Sequence, residues 1–276
     1  MDPLVSVVTV ALNAAGSIAD TIASVAWQRL EFPIEHILVD GGSTDGTREI
    51  IDRWAASTGQ IQRIYESDRG IYDAMNKGLS AARGEYVLFL NADDYLVDDR
   101  ALAVAMSGLT LGDEENPGII AGDAIMGVAG AFGFWRHRRV PRLLGRLRGI
   151  GLYPVHQGQF TKRRLLLQLG GFDARLRLAG DLAQYYDLER TQRPRTRLLR
   201  RDIAFMRAGG AANAGLRAVR LGTLECYRHL SGHHGRMRAA AMVMVKTVQS
   251  LSEIRYGRCP GVRWFQSSPE PVPVDA

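Results

Sequence analysis

The sequence predicts an α/β protein built on a doubly wound, mostly parallel sheet, and three observations carry that expectation. Apolar, β-branched runs at residues 4–12, 34–40 and 85–90 read as strands covered on both faces. Segments with helical period alternate with them, the pattern of repeated βα units. The runs end in polar groups, Asn13, Asp40 and Asn91-Ala92-Asp93-Asp94. Open α/β sheets gather their ligands beyond such strand ends.

Residues 4–12 (LVSVVTVAL) make the first strand. After a loop at 13–16, Ser17 is placed to cap a helix reaching about residue 28, with Ile18, Ile22 and Val25 inward. The second strand, 34–40, closes in Gly41-Gly42-Ser43-Thr44-Asp45-Gly46, where Asp45 reads as the cap of a helix carrying Ile50, Ile51 and Trp54. A third strand at 61–65 precedes a helix at 71–83 with Ile71, Met75, Leu79 and Ala82 on one face, and the fourth strand is 85–90. Beyond it we expect a helix at 101–109, a polar loop at 112–117 and a strand at 118–124. A loop at 151–160 holds His156-Gln157. A helix at 162–169 ends at Gly170-Gly171, another opens at Gly180-Asp181, and a strand covers about 197–205. Helices at 216–230 and 236–254 complete the pattern. The expected organisation is a nucleotide-binding domain at 1–210, a C-terminal helical appendage at 211–266 and a disordered tail at 267–276.

Charge divides the chain. Residues 1–134 hold 8 Lys/Arg against 20 Asp/Glu, a balance of −12, and residues 135–276 hold 27 against 9, a balance of +18. The basic half suggests an anionic partner. Within it, Arg136, Arg138, Arg139, Arg142, Arg146 and Arg148 flank Leu143, Leu144 and Leu147, and we expect a short amphipathic segment lying on an anionic bilayer. Met237, Ala241, Met244, Val248 and Leu251 form a second apolar face. Cys226 and Cys259 lack the spacing of a disulfide framework or metal site. The first residues have no signal-peptide pattern, and no apolar run approaches the roughly 20 residues of a membrane span. The expectation is a cytoplasmic protein, peripheral on the inner face of the membrane.

Glycines 41 and 42 admit a close backbone approach to a ligand. Neither G-x-G-x-x-G nor G-x-x-x-x-G-K-S/T occurs, which removes support for a dinucleotide fold or a P-loop. Asp93 and Asp94 at a strand end suit a hard divalent cation, Mg²⁺ or Mn²⁺, shared with a diphosphate. Asp173 reads as the stabiliser of the GGFD turn and Asp187 as a solvated helix residue.

Four stretches taken together, VSVVTVALNA, ILVDGGSTDGT, ESDRGIYDAMNKGLSAARGEYVLFLNADD and GGFD followed by an acid, resemble the inverting glycosyltransferases of family 2, which have the GT-A fold. The resemblance covers residues 4–210. It implies that Asp40 recognises the base of a nucleotide-diphosphate sugar, with the loop Ala11-Leu12-Asn13 beside it. Asp68 and Arg69 would close over the donor, with Asn76 nearby. Asn91-Ala92-Asp93 stands where the family has D-x-D, so the metal would rest on Asp93 with Asp94. Asp181 falls at the position of the catalytic base, and His156, Gln157 and Asp173 are candidate donor or acceptor contacts. The implied acceptor is a polysaccharide or a polyprenyl-diphosphate-linked sugar at an anionic membrane surface. Two alternatives stay open: a nucleotidyltransferase on a similar sheet, and a nucleic-acid or phosphate-binding protein argued from the basic half. No interleaved aromatics support nucleic acid as a partner.

Overall fold

The first half of the chain repeats strand and helix because each apolar run can be covered only by the helix that follows it. In the computed structural model, which describes residues 2–59, 61–141, 150–208 and 216–260, β1 (Val5–Ala11), β2 (Ile34–Asp40), β3 (Ile61–Tyr65) and β4 (Tyr86–Phe89) alternate with α1 (Ile18–Ala26), α2 (Thr47–Thr58) and α3 (Ile71–Ala81). There follow β5 (Tyr95–Leu96), α4 (Ala101–Met106), β6 (Ile119–Gly127), β7 (Phe132–Arg138), β8 (Gln159–Lys162), α5 (Arg163–Leu169), α6 (Gly180–Thr191) and β9 (Thr196–Arg207). The helices α7 (Leu216–His234) and α8 (Arg236–Ser252) lead to β10 (Ile254–Arg258).

The sheet runs β10-β7-β6-β8-β4-β1-β2-β3, with β9 beside β6 and β5. Strands β4, β1, β2 and β3 are parallel, as expected, and register is tight: Val5 pairs with both Ile34 and Tyr86, and Ala11 with Asp40. From β8 outward the pairing is antiparallel, except that β9 runs parallel to β6. Every residue of β1 is buried. One face packs with Ile18, Ile22, Ile51 and Trp54 of α1 and α2, and the other with Met75 and Leu79 of α3.

Polar residues inside this parallel block are matched across strands. Ser6 Oγ donates to Glu35 Oε1 at 2.6 Å, and Glu35 also accepts the N–H groups of Arg83 (2.6 Å) and Gly84 (3.2 Å), fixing the turn that enters β4. His36 Nε2 lies 3.0 Å from Thr9 Oγ1.

Two expectations change. The part of the expected amphipathic segment that is described does not lie free for a bilayer: 132–138 form β7, paired antiparallel with β6 and β10. Arg138 is 15% exposed in its side chain, pairs with Glu253 at 3.3 Å and donates to Tyr153 Oη at 2.9 Å, so it is no bilayer contact. Arg142, Leu143, Leu144, Arg146, Leu147 and Arg148 lie outside the described residues, as do the expected boundary at 210/211 and the tail from 267. Residues 159–162, read partly as loop, form β8 between β4 and β6. The C-terminal helices bury Cys226, Leu230, Ala239 and Met242 in one cluster with Ile119, Tyr153, Leu182 and Tyr185 of the sheet domain.

The charge asymmetry is partly answered inside the molecule. Arg207 pairs with Asp20, Arg201 with Asp98, Arg195 with Glu115 at 2.8 Å and Arg164 with Glu114 at 2.6 Å, each joining the basic half to the acidic one. No described helix is long and apolar enough to cross a membrane.

Burial holds the His36 imidazole down to a pKa of about 3. Between that value and its ordinary pKa near 6.5 the unfolded chain binds the proton and the folded chain does not, so stability falls as pH drops through this window. His36→Gln should flatten that slope, read from urea midpoints of both proteins between pH 7 and pH 4.5. Parallel slopes for the two proteins would refute the assignment.

Candidate functional site

The loops that follow β1, β3 and β4 open on one cavity of about 910 Å³, and the β2 loop is not part of its lining. The β1 loop is locked to the β2 loop before any ligand arrives. Asn13, at φ 51°, donates its N–H to Ser43 Oγ at 2.7 Å and accepts from Thr44 N at 3.0 Å, while Ala14 N donates to Thr47 Oγ1 at 2.8 Å. Asp45 does not stand at the helix cap itself, which is Gly46. Its carboxylate joins Thr47 N and Oγ1 to Ala15 N across the two loops. Ser17 likewise makes no side-chain cap and donates to the Ala92 carbonyl at 2.8 Å, tying α1 to the end of β4.

Among the residues singled out from the sequence, Ala11, Asn13, Asp68, Asn91, Ala92, Asp93, Asp94, His156, Gln157 and Asp181 line this cavity. Asp40 does not. It is fully buried beneath the Gly42-Ser43 turn, where its Oδ1 accepts from Gly42 N, Ser43 N and Arg48 Nε. Burial works to raise its carboxyl pKa, but the hydrogen bonds from Ser43, Arg48 and Gly42 outweigh that and hold it below the usual range. Its Oδ2 has no partner among the described residues. Asn76 holds the Phe172 backbone at both ends, donating to its carbonyl at 2.9 Å and accepting its N–H at 2.8 Å. Arg69 pairs with Asp73 at 2.9 Å and Asp173 with Arg175 at 2.8 Å, both outside the cavity lining.

The acids at the end of β4 differ from one another. Asp94 is 3% exposed. Burial pushes its carboxyl well above the usual range and the nearby Asp93 adds to this, against hydrogen bonds from Gln157 and from Arg207 N at 3.3 Å. Burial also raises Asp93, with Arg207 opposing. Asn91 Oδ1 is buried without a hydrogen-bond partner among the described residues. An unpartnered amide oxygen beside desolvated carboxylates is an oxygen-only donor set, and a hard divalent cation fits it.

Asp181 sits in the first turn of α6 and accepts from Tyr72 Oη at 3.4 Å. Burial and the Asp181 charge push the Tyr72 phenol far up, so it remains a donor. The Tyr72 ring stacks on Phe172 with centroids 5.5 Å apart. His156 stacks on Phe89 at 5.4 Å, and its buried Nε2 has no partner among the described residues. Burial lowers its pKa against the pull of Asp181, so the ring is neutral near pH 7.

Sequence reasoning missed the cations of the cavity, Arg136, Arg138, Arg177, Arg207 and Lys246, and the phenols Tyr72 and Tyr153. Arg207 had a signal, since it ends a strand as Asp40 does; Lys246 arrives from α8 with none. A second cavity, of about 870 Å³, lies behind β7 and α8. The strand's alternation turns Arg136 and Arg138 to the first cavity and His137 and Arg139 to the second.

Comparison with known proteins gives a coherent picture. A family model described as glycosyl transferase family 2 matches residues 6–166. The chain is 35% identical over 185 residues to a PGL/p-HBAD biosynthesis glycosyltransferase of Mycobacterium tuberculosis, covering 65% of this chain and 67% of that one. It is 32% identical over 187 residues to an uncharacterized glycosyltransferase of the same species, covering 65% and 66%. Among solved structures, S. aureus TarS in complex with UDP-GlcNAc superposes with a TM-score of 0.60 at 20% identity, over 90% of this chain and 72% of that one. The mannosyltransferase PcManGT of Pyrobaculum calidifontis, in complex with GDP-Man and Mn²⁺, gives 0.61 at 21%, over 92% and 73%. The fold is the GT-A arrangement expected from the sequence.

A Cβ placed on Gly41 would lie 2.0 Å from Asp68 Oδ2. Gly41→Ala should therefore displace the Asp68 side chain, whose Oδ1 holds Gly70 N at 2.9 Å, while changing unfolding free energy by no more than about 1 kcal/mol. Faster hydrogen exchange at the Gly70 amide with an unchanged denaturation midpoint is the expected result; unchanged exchange would refute it.

Proposed function

The chain belongs to glycosyl transferase family 2, and on that premise we propose that it is an inverting, metal-dependent enzyme that moves a sugar from a nucleotide-diphosphate sugar to an acceptor hydroxyl. One observation carries this reading: a single cavity gathers the Asp181 carboxylate, the strand-end group Asn91 to Asp94, and the cations Arg177, Arg207 and Lys246. The acceptor oxygen bonds to the anomeric carbon as the bond to the diphosphate breaks on the opposite face, and the hydroxyl proton passes to Asp181. Tyr72 donates to Asp181 Oδ1 and so orients the carboxylate, leaving its second oxygen for the acceptor. The nucleotide base lies against the loop at 11–14, which is braced by the turn at 42–47, itself held by Asp40. The cations neutralise the diphosphate. Asp93 and Asn91 would hold Mg²⁺ or Mn²⁺, which when bound stabilises the leaving diphosphate as a Lewis acid. TarS and PcManGT, with UDP-GlcNAc and GDP-Man, name the first donors to try.

The acceptor in this reading is lipid-linked or a growing polysaccharide, met at an anionic membrane face. What supports it is the apolar side of α8 that the described residues leave exposed, where Met237 is 90% exposed and Met244, Val248 and Leu251 follow. Met237→Glu with Val248→Glu should reduce co-sedimentation with anionic vesicles at low salt; equal partition of variant and wild type would remove the membrane from the reading.

Donor turnover is measured with UDP- and GDP-sugars in the presence of Mn²⁺. Asp181→Asn should lower kcat by about 10²–10⁴-fold with donor affinity retained, and Asp93→Ala should abolish metal-stimulated turnover. Wild-type kcat in Asp181→Asn would assign the base elsewhere, and metal-independent turnover would remove the cation from the reaction.

A further inference from the structure

Helix α7 turns a continuous stripe, Glu225, Cys226, His229, Leu230 and His233, toward α6. The Glu225 carboxylate accepts the N–H groups of Arg177 (3.0 Å), Leu178 (2.9 Å) and Ala179 (3.1 Å), immediately ahead of α6. Cys226 and Leu230 are buried in the shared core. One turn further, His229 and His233, four residues apart and so on one helix face, bracket the carboxylate of Asp187 in the middle of α6. Their Nε2 atoms lie 3.2 Å and 3.9 Å from its two oxygens. Asp187, expected to be solvated, is 23% exposed in its side chain.

These contacts are not those of an ordinary hydrogen-bonded pair. His229 Nε2 is buried and makes no hydrogen bond among the described residues, although a carboxylate oxygen stands 3.2 Å away. A tetrahedral ion with bonds of about 2.0–2.1 Å separates its ligand atoms by roughly 3.3 Å. All three groups offer a ligand atom within 4.8 Å of one another. The contrast with the other His/Asp cluster is direct: in Asp123, His137 and Asp202, His137 Nε2 is bonded to Asp202 at 2.7 Å and Asp123 accepts Val140 N at 2.7 Å. That cluster is satisfied by its own hydrogen bonds.

We propose that Asp187, His229 and His233 form a metal site separate from the acids of the main cavity. Two imidazole nitrogens and one carboxylate oxygen suit a borderline ion such as Zn²⁺ far better than Mg²⁺, which prefers an all-oxygen octahedron. His233, 38% exposed in its side chain, leaves the solvent side open for a water as fourth ligand. The bound ion displaces Arg190, now 3.7 Å from Asp187 Oδ1, and fastens α7 to α6 below the Glu225 contact. Its effect is structural: it fixes the helix that begins with Gly180-Asp181.

The untagged full chain, stripped with chelator, is titrated with Zn²⁺ and Co²⁺ without nucleotide. Wild type should bind one Zn²⁺ at this site, show the visible bands of four-coordinate Co²⁺ and gain in Tm with Zn²⁺ by mass action. His229→Ala with His233→Ala should lose all three signals, whereas His234→Ala and Asp93→Ala should keep them. Absence of Zn²⁺ binding by the wild-type chain overturns the site without recourse to any variant. So does a Tm gain unchanged in the double variant, or one lost in Asp93→Ala, which would assign the ion to the acids of the main cavity.

Discussion

A carboxylate taken out of water must be answered by N–H groups or by charge, and this requirement shapes both ends of the parallel strands, Glu35 at the amino ends and Asp40 and Asp94 at the carboxyl ends where the site is built. Glu35 is answered by Ser6 and by the Arg83 and Gly84 amides, which sets where β4 begins. Asp40 is answered by Gly42, Ser43 and Arg48, which sets the turn after β2. Asp94 is answered by Gln157 and the Arg207 amide, which brings the end of β9 and the 156–158 turn to the end of β4. For Glu35 and Asp94 the partner comes from another strand's end, so satisfying one buried oxygen also fixes the spacing between two segments, whereas the partners of Asp40 lie in its own turn and in α2. The cavity is the space left between loops positioned in this way.

The same economy explains the uneven charge. Basic side chains of the second half are distributed between two tasks. Arg201 and Arg207 pair with Asp98 and Asp20 and tie β9 to the segment after β5 and to α1, while Arg164 and Arg195 meet Glu114 and Glu115 in exposed pairs ahead of β6. Arg136, Arg138, Arg177 and Lys246 line the cavity, where Asp68, Asp93, Asp94 and Asp181 face them. Arg207 does both, since its guanidinium meets Asp20 and lies 5.3 Å from the Tyr95 ring while its amide serves Asp94. A cavity lined by both signs suits a ligand that is itself a polyanion bound with a cation.

The parallel core was legible because β1, β2 and β4 are buried on both faces and announce themselves as unbroken apolar runs. Of the outer strands, β6 and β9 were legible as well, but β7 and β8 were not. In β7 the sequence FGFWRHR mixes aromatics and arginines, and nothing local says that Arg136 and Arg138 face a cavity while His137 meets Asp202. In β8, QFTK carries polar residues that are buried only because β4 and β6 flank them on both sides. Of the site, the groups at strand ends could be located from sequence, since their position follows from the strand that delivers them. Asn76 and Asp173 sit within motifs suggestive of ligand contact, yet their side chains are taken by Phe172 and Arg175. A motif places a residue near the site; the hydrogen bonds it makes decide whether it faces the ligand.

Three glycines give the same lesson from the opposite direction, because what matters at each is the volume a Cβ would occupy. At Gly41 that volume belongs to the Asp68 carboxylate, at Gly171 to the Asn76 amide oxygen 2.4 Å away, and at Gly180 to the Tyr72 ring 2.7 Å away. Gly41 and Gly171 lie on loops and Gly180 opens α6; each makes room for a side chain from another element, and all three side chains come from the stretch between Asp68 and Asn76. That stretch, the end of the β3 loop and the first turns of α3, is therefore seated against the β2 turn, the GGFD turn and the start of α6 at once. A shift in any one of these segments is felt by Tyr72, and through its hydroxyl by Asp181. The packing couples the loop at Asp68 to the Asp181 carboxylate through Tyr72, because close-packed elements shift together.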